Sequence, residues 1–126
     1  MAPSPFQYAI IRVVPEVERG ESVNAGVVLF CRARDFLAAS VELDEARLRA
    51  LAPAADLDAV REHLAALARV AAGAPGAGPI AALPASERFH WLVAPSSTVI
   101  QCSPVHTGLS EDPERELERL VARLVR

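Results

Sequence analysis

The chain opens with three short blocks rich in β-branched and aromatic residues, set apart by polar segments. In "FQYAIIRVV" (6–14), Tyr8, Ile10, Arg12 and Val14 fall on one side of an extended strand and Ala9, Ile11 and Val13 on the other, because strand side chains alternate with period two. Apart from Arg12 both sides are apolar, the pattern of a central strand covered on both faces. "VNAGVVLFC" (23–31) reads the same way. After the turn "RARD", "FLAASVEL" (36–43) sets Leu37, Ala39, Val41 and Leu43 inward and Ser40 and Glu42 outward. An antiparallel meander is the simplest arrangement of three such strands.

The spacing then changes to that of helices. Asp44 is placed to cap a short helix "EARLRAL", which Pro53 stops. Asp56 caps a longer one to about Ala72, with Leu57, Val60, Leu64, Leu67 and Val70 recurring at helical intervals. Gly73 ends it, and "GAPGAGP" (73–79) is a loop. From Glu87 the period returns to two, so "FHWLVA" (89–94) and "STVIQCS" (97–103) are expected to form a second hairpin, followed by a loop "PVHTGLSED". Asp112 and Pro113 give a strong helix start, and Leu117, Leu120, Val121, Leu124 and Val125 form the apolar stripe of the last helix. The order βββααββα predicts a single α+β domain over 1–126, a mainly antiparallel sheet with helices packed on one face.

Composition narrows the classes of function. With 126 residues, 52% hydrophobic and 23% charged, the chain can bury a core without a cofactor or disulfide. The net charge is −3, and all 13 basic residues are Arg. That points to coding bias more than to a phosphate-binding surface, and argues against a nucleic-acid binder. The N-terminus has no basic start and Arg12 interrupts its apolar run, so it does not read as a signal peptide. No apolar stretch is long enough to cross a bilayer. Cys31 and Cys102 stand apart without a metal or redox spacing. The expectation is a cytoplasmic protein with reduced thiols.

Few constellations carry chemistry. "EVERGES" gathers Glu16, Glu18, Arg19 and Glu21 around Gly20; it is either a solvated hairpin loop or a surface where Arg19 engages an acidic group and Glu18 or Glu21 pairs with Arg12. Asn24 is suited to tie backbone down through its side chain, and Gly26 inside a strand marks a bulge or a close approach. His106, in "SPVHTG" (103–108), is placed for acid–base work or as a structural side chain. A triad of Ser96 or Ser97, His106 and Asp112 lacks the G-x-S-x-G context. His63, His90, His106 and the cysteines lack metal-ligand spacing, and "GAPGAGP" lacks the G-K-[ST] of a phosphate loop. On the last helix Arg115, Arg119 and Arg123 stand at i, i+4 and i+8, a row that is either a solvated face or a docking surface for an acidic partner.

"YAIIRVVPEVERGESVNAGVVLF", with its Arg-x-Val-Pro, Arg-Gly-Glu and Asn-x-Gly-Val-Val, resembles the N-terminal signature of the bacterial family catalogued as domain of unknown function 3037. The resemblance continues through "LDEARLRAL", "RFHWLVAPSSTVIQCSPVHTGL" and "DPERELERLV", nearly the whole chain. The matching positions are Arg12, Pro15, Arg19, Glu21, Asn24, Gly26, Trp91, Ser97, Thr98, Gln101, Ser103, Pro104 and His106, and no catalytic role comes with them. The resemblance implies a small bacterial protein often encoded beside a kinase-like protein related to the Hip toxin kinases, and hence a protein partner. Two functions are expected to compete. One is a non-enzymatic accessory module acting through that partner, with Arg115, Arg119 and Arg123 as the docking row. The other is a small hydrolase or nucleic-acid-processing enzyme with Arg12, Glu21, Asn24 and His106 in one site between the 16–26 and 103–108 loops. A homodimer closed by an exposed sheet edge is compatible with either.

Overall fold

A computed structural model describes residues 2–126. Three strands, β1 (Ser4–Val13), β2 (Val23–Cys31) and β3 (Phe36–Val41), form the expected antiparallel meander. Helices α1 (Glu45–Leu51), α2 (Leu57–Ala72) and α3 (Ala85–Val93) follow, then the short strands β4 (Ile100–Cys102) and β5 (His106–Ser110), and helix α4 (Pro113–Leu124). The sheet order is β3-β2-β1-β4, with β5 pairing β1 beyond β4 along the same edge. The class is α+β with an antiparallel sheet, as the alternation predicts.

The helix starts follow from side-chain chemistry. Asp44, Asp56 and Asp112 each accept a backbone N–H three residues on, from Arg47, Ala59 and Arg115, filling one of the donors that a helix N-terminus leaves unpaired. Gly73 closes α2 at φ +66°, a left-handed position that a side chain would strain.

The segment "FHWLVA", expected as a strand, lies in α3. Its aromatic and β-branched residues favour strand locally, but Ala85, Phe89, Leu92 and Val93 share one helical face, and Phe89 and Leu92 are buried against the sheet. Tertiary packing overrides propensity here. Pro84 precedes the helix and Pro95 follows it, so the helix is bounded by the residues least able to continue one. The order therefore gains a third central helix. Of "STVIQCS" only Ile100–Cys102 is strand, and the expected loop at 104–112 contains β5.

The helices also occupy both faces of the sheet, not one. Ala9, Ile11 and Val13 of β1 and Val28 and Phe30 of β2 pack with Leu48 of α1, Val60 and Leu64 of α2, and Phe89 of α3. On the other side Phe6, Val27, Leu29 and Cys31 pack under Leu117, Leu120, Val121 and Val125 at the last helix. Strands apolar on both sides need cover on both. Each fully buried side chain of this kind contributes roughly 1.5–3 kcal/mol of transfer free energy.

Candidate functional site

Arg12 stands at the most irregular point of the sheet. Ile11 pairs with Gly26 and Arg12 with Asn24, so Ala25 is an extra residue, a β-bulge in β2. Gly26 lies at that bulge with its α-carbon pressed towards β3: a β-carbon there would lie 2.6 Å from the Ser40 carbonyl oxygen. Gly26 thus serves close approach of backbone, not a ligand. Arg12 is flanked in register by Asn24 on one side and Gln101 on the other. Asn24 Nδ2 donates to the Leu124 carbonyl at 3.0 Å, so it ties the sheet to the last turn of α4 across 100 residues of sequence, not its own loop.

Arg12 is half-buried and has no carboxylate partner among the described residues. Glu21 does not reach it. Arg19 takes Glu21 at 2.5 Å and Glu16 at 3.8 Å, within the loop that Gly20 turns at φ +73°. The hydrogen bond and charge of Glu21 raise the Arg19 pKa, and Arg19 in turn holds Glu21 below the ordinary carboxylate value. Pro15, Glu16, Arg19 and Glu21 line a shallow depression of about 360 Å³ against the end of α1 at Ala50–Ala52.

His106 lies on β5 opposite Tyr8, exposed, with the two rings 5.2 Å apart. It is four β1 positions from the residue opposite Arg12, about 13 Å at the rise of a strand. Arg12 and Asn24 are therefore neighbours, while Glu21 is held by Arg19 and His106 sits further down the sheet. The four do not form one hydrogen-bonded cluster. The serine–histidine–aspartate grouping does not form either: Ser96 Oγ bonds Thr98 Oγ1 and Asp112 caps α4. Among the described residues no three His, Cys, Asp or Glu side chains gather as metal ligands.

On α4 the arginine row is exposed. Arg119 is bound by Glu116 through two nitrogens at 2.9 and 2.5 Å; Arg115 and Arg123 have no acidic partner among the described residues. The helix is anchored from several directions, by Asn24 to Leu124, by Arg47 Nη1 to the Val125 carbonyl at 2.9 Å, and by Arg126 to Glu42 and Glu118. Because Arg126 links Glu118 to Glu42 at the end of β3, that flank of α4 faces β3. At 100° per residue, Arg123 and Glu116 lie on the opposite flank, on the β1 side in the sheet order β3-β2-β1.

Three features have roles that the sequence does not assign. Ser103, 2% exposed, accepts the Ile10 N–H at 2.8 Å and donates to the Pro104 carbonyl at 2.9 Å. It joins β4 to β5 where two residues of β1 face three of the edge strand; in the sequence it stood out only as a matching position of the family motif, with no role attached. Arg88 reaches the carbonyls of Leu83 and Ala71 at the C-terminal end of α2, where a cation is favoured by the helix dipole. Trp91, 54% exposed, borders a depression of about 340 Å³ with Leu67 and Cys102; a second of about 420 Å³, with Val60 and Val99, shares His63 and Ile100 with it. Burial pushes the Cys102 thiol up to about 11, the Arg12 charge opposing this only in part.

No helix among the described residues is long and apolar enough to cross a membrane. No curated protein and no solved structure matches the chain. Residues 8–125 match the family described as protein of unknown function DUF3037, and with nearly its whole length covered the chain belongs to that family.

Proposed function

We propose that the protein is a non-enzymatic interaction module of the bacterial cytoplasm, which docks an acidic segment of a protein partner on α4 and the adjoining sheet. The observation that carries this reading is the state of the arginines there. Arg12, Arg115 and Arg123 have no carboxylate partner among the described residues, although the chain carries 16 acidic side chains and a net charge of −3. The planar guanidinium suits bidentate recognition of carboxylates. The helix that bears two of them, Arg115 and Arg123, is anchored at both its apolar face and its C-terminus, so little ordering of its backbone is needed on binding. The free thiols of Cys31 and Cys102 accord with a reducing compartment.

The partner proposed is the Hip-type kinase-like protein encoded beside members of this family. Co-purification of the two proteins, repeated with Arg115, Arg119 and Arg123 all changed to Glu, tests it. The wild type is expected to retain the partner and release it as salt rises, and the triple variant to lose it. Undiminished binding by the variant removes the helix from the account, and no binding by the wild type removes the partner.

A further inference from the structure

We propose that β5 is a self-pairing edge, and that two copies of the chain join there as an antiparallel dimer about a two-fold axis at Thr107. The inference is independent of the docking row on α4. It begins with which backbone groups point outward. Ile10 directs both its N–H and its carbonyl to Ser103 on the β4–β5 side, and in an antiparallel strand residues two apart point the same way. Tyr8, Phe6 and Ser4 therefore bond to their β5 partners His106, Gly108 and Ser110. The N–H and carbonyl groups of Thr107 and Leu109, between them, face away from the sheet.

The other edges are guarded. At β4 the Thr98 hydroxyl donates to the outward Ile100 carbonyl at 2.7 Å, and Gln101 Nε2 bonds the Thr98 carbonyl at 2.8 Å, so the 96–99 loop folds over that edge. At β3 every residue is at least half-buried, between α2 and α4. β5 has neither device, and residues 103–109 include no Asp, Glu, Lys or Arg. Natural edges are blunted by charge, proline or cover, and an open, uncharged one is a template for pairing. Only the bulge at Pro104 interrupts this one.

The side chains identify a second copy as the occupant. Val105, Thr107 and Leu109 lie on the α2–α3 side of the sheet, beyond the helices, next to exposed Pro5 and Gln7. Leu109 is 67% and Val105 39% exposed. Read outward from Thr107, the pattern is symmetric: an apolar side chain stands two residues away in each direction. Antiparallel pairing on a two-fold at Thr107 sets Leu109 of each copy opposite Val105 of the other, and Thr107 opposite itself. Both exposed apolar residues are then covered, in cross-strand pairs of a favourable kind, and the unpaired backbone groups are bonded. On the other face His106 meets Gly108, where the Phe6 ring already covers the backbone, 2.6 Å from where a β-carbon would stand. A pairing of five residues a side buries less than the roughly 1,200 Å² of a standard stable interface, so the dimer is expected to be weak, dissociating in the micromolar to millimolar range.

Sedimentation velocity across that range tests the inference, with Leu109→Glu and Thr107→Pro as variants. Neither change removes a bond between β5 and β1, since both act on outward-facing groups. The wild type is expected to shift from monomer to dimer with concentration and the variants to stay monomeric, with unchanged thermal unfolding. Thr107→Cys then checks the register: a hydrogen-bonded antiparallel pair sets α-carbons about 5.5 Å apart, within the range a disulfide spans. Mild oxidation should give a covalent dimer, while buried Cys31 and the protonated Cys102 remain unreacted. A wild type that is monomeric throughout, a dimer that persists in Leu109→Glu, or failure of Thr107→Cys to cross-link under conditions where the wild type dimerises would each overturn the proposal.

Discussion

Replacing Gly26 by Ala adds one methyl group at the point where β2 and β3 come closest. Its carbon would lie 2.6 Å from the Ser40 carbonyl oxygen, 3.1 Å from Val41 Cα and 3.2 Å from Val41 Cγ1, against 3.4 Å or more for ordinary contact. The difference, 3.4 − 2.6, requires a shift of 0.8 Å between two hydrogen-bonded strands. Two of the three atoms are backbone, so no rotamer change relieves them. Overpacking of this sort costs about 1–3 kcal/mol. Reduced freedom of the unfolded chain returns about 0.4–1 kcal/mol, leaving a net loss of roughly 1–2 kcal/mol out of a typical total of 5–15. At roughly 2.1 cal/mol/K per residue of unfolding entropy, that lowers Tm by about 4–8 °C. Urea denaturation should show a lower midpoint with an unchanged slope. Adding Val41→Ala removes only the side-chain contact and should leave the Gly26→Ala penalty nearly intact, as a near-zero coupling in the double-mutant cycle. A loss under about 0.5 kcal/mol, or full rescue by Val41→Ala, would refute the argument that backbone crowding at the bulge is what Gly26 serves.

Ser103→Ala leaves the Ile10 N–H without its acceptor at the β4–β5 junction and should destabilise by about 1–3 kcal/mol in urea titrations, with β5 amides exchanging faster than those of β2. Asn24→Ala removes the bond to Leu124 and should cost about 1 kcal/mol, with faster hydrogen exchange confined to the last turn of α4. Glu21 should titrate below the ordinary carboxylate value in a carbon-detected NMR titration and return to it in Arg19→Ala, since Arg19 is what lowers it. Because the folded pKa is depressed, the stabilisation from this pair is present above the unfolded pKa and is lost as pH falls through the lowered value. Both groups are exposed, so the effect is expected to vanish in high salt.

Much of the secondary structure was legible because its causes are local. The three aspartate caps, the glycine ending α2 and the proline opening α4 act on their own backbone, and the apolar residues on both sides of β1 and β2 report burial on both faces. α3 was misread because the indicative residues, Phe89, His90, Trp91, Leu92 and Val93, are aromatic or β-branched in good part, and only their contact with Phe30 and the sheet decides for helix. β5 was missed because its short run after Pro104 has no strong alternation of its own. It becomes a strand only by pairing with β1.

For the candidate site the division is similar. The sequence singled out Arg12, Asn24 and Gly26 by their irregular setting, and it showed the arginine row on α4 by spacing alone. It could not say that Asn24 reaches Leu124, that Glu21 is taken by Arg19, or that His106 lies down the sheet from Arg12. Those outcomes depend on which residues are brought together from far apart in the chain, and two rival partners for one side chain look alike in sequence. By itself the sequence determined the class of fold, the capped helices and the strands buried on both sides. The tertiary structure decided the order of the edge, the placement of α4 on the second face and the exposure of β5, because long-range pairing and burial set these, and neither is encoded within a single window of residues.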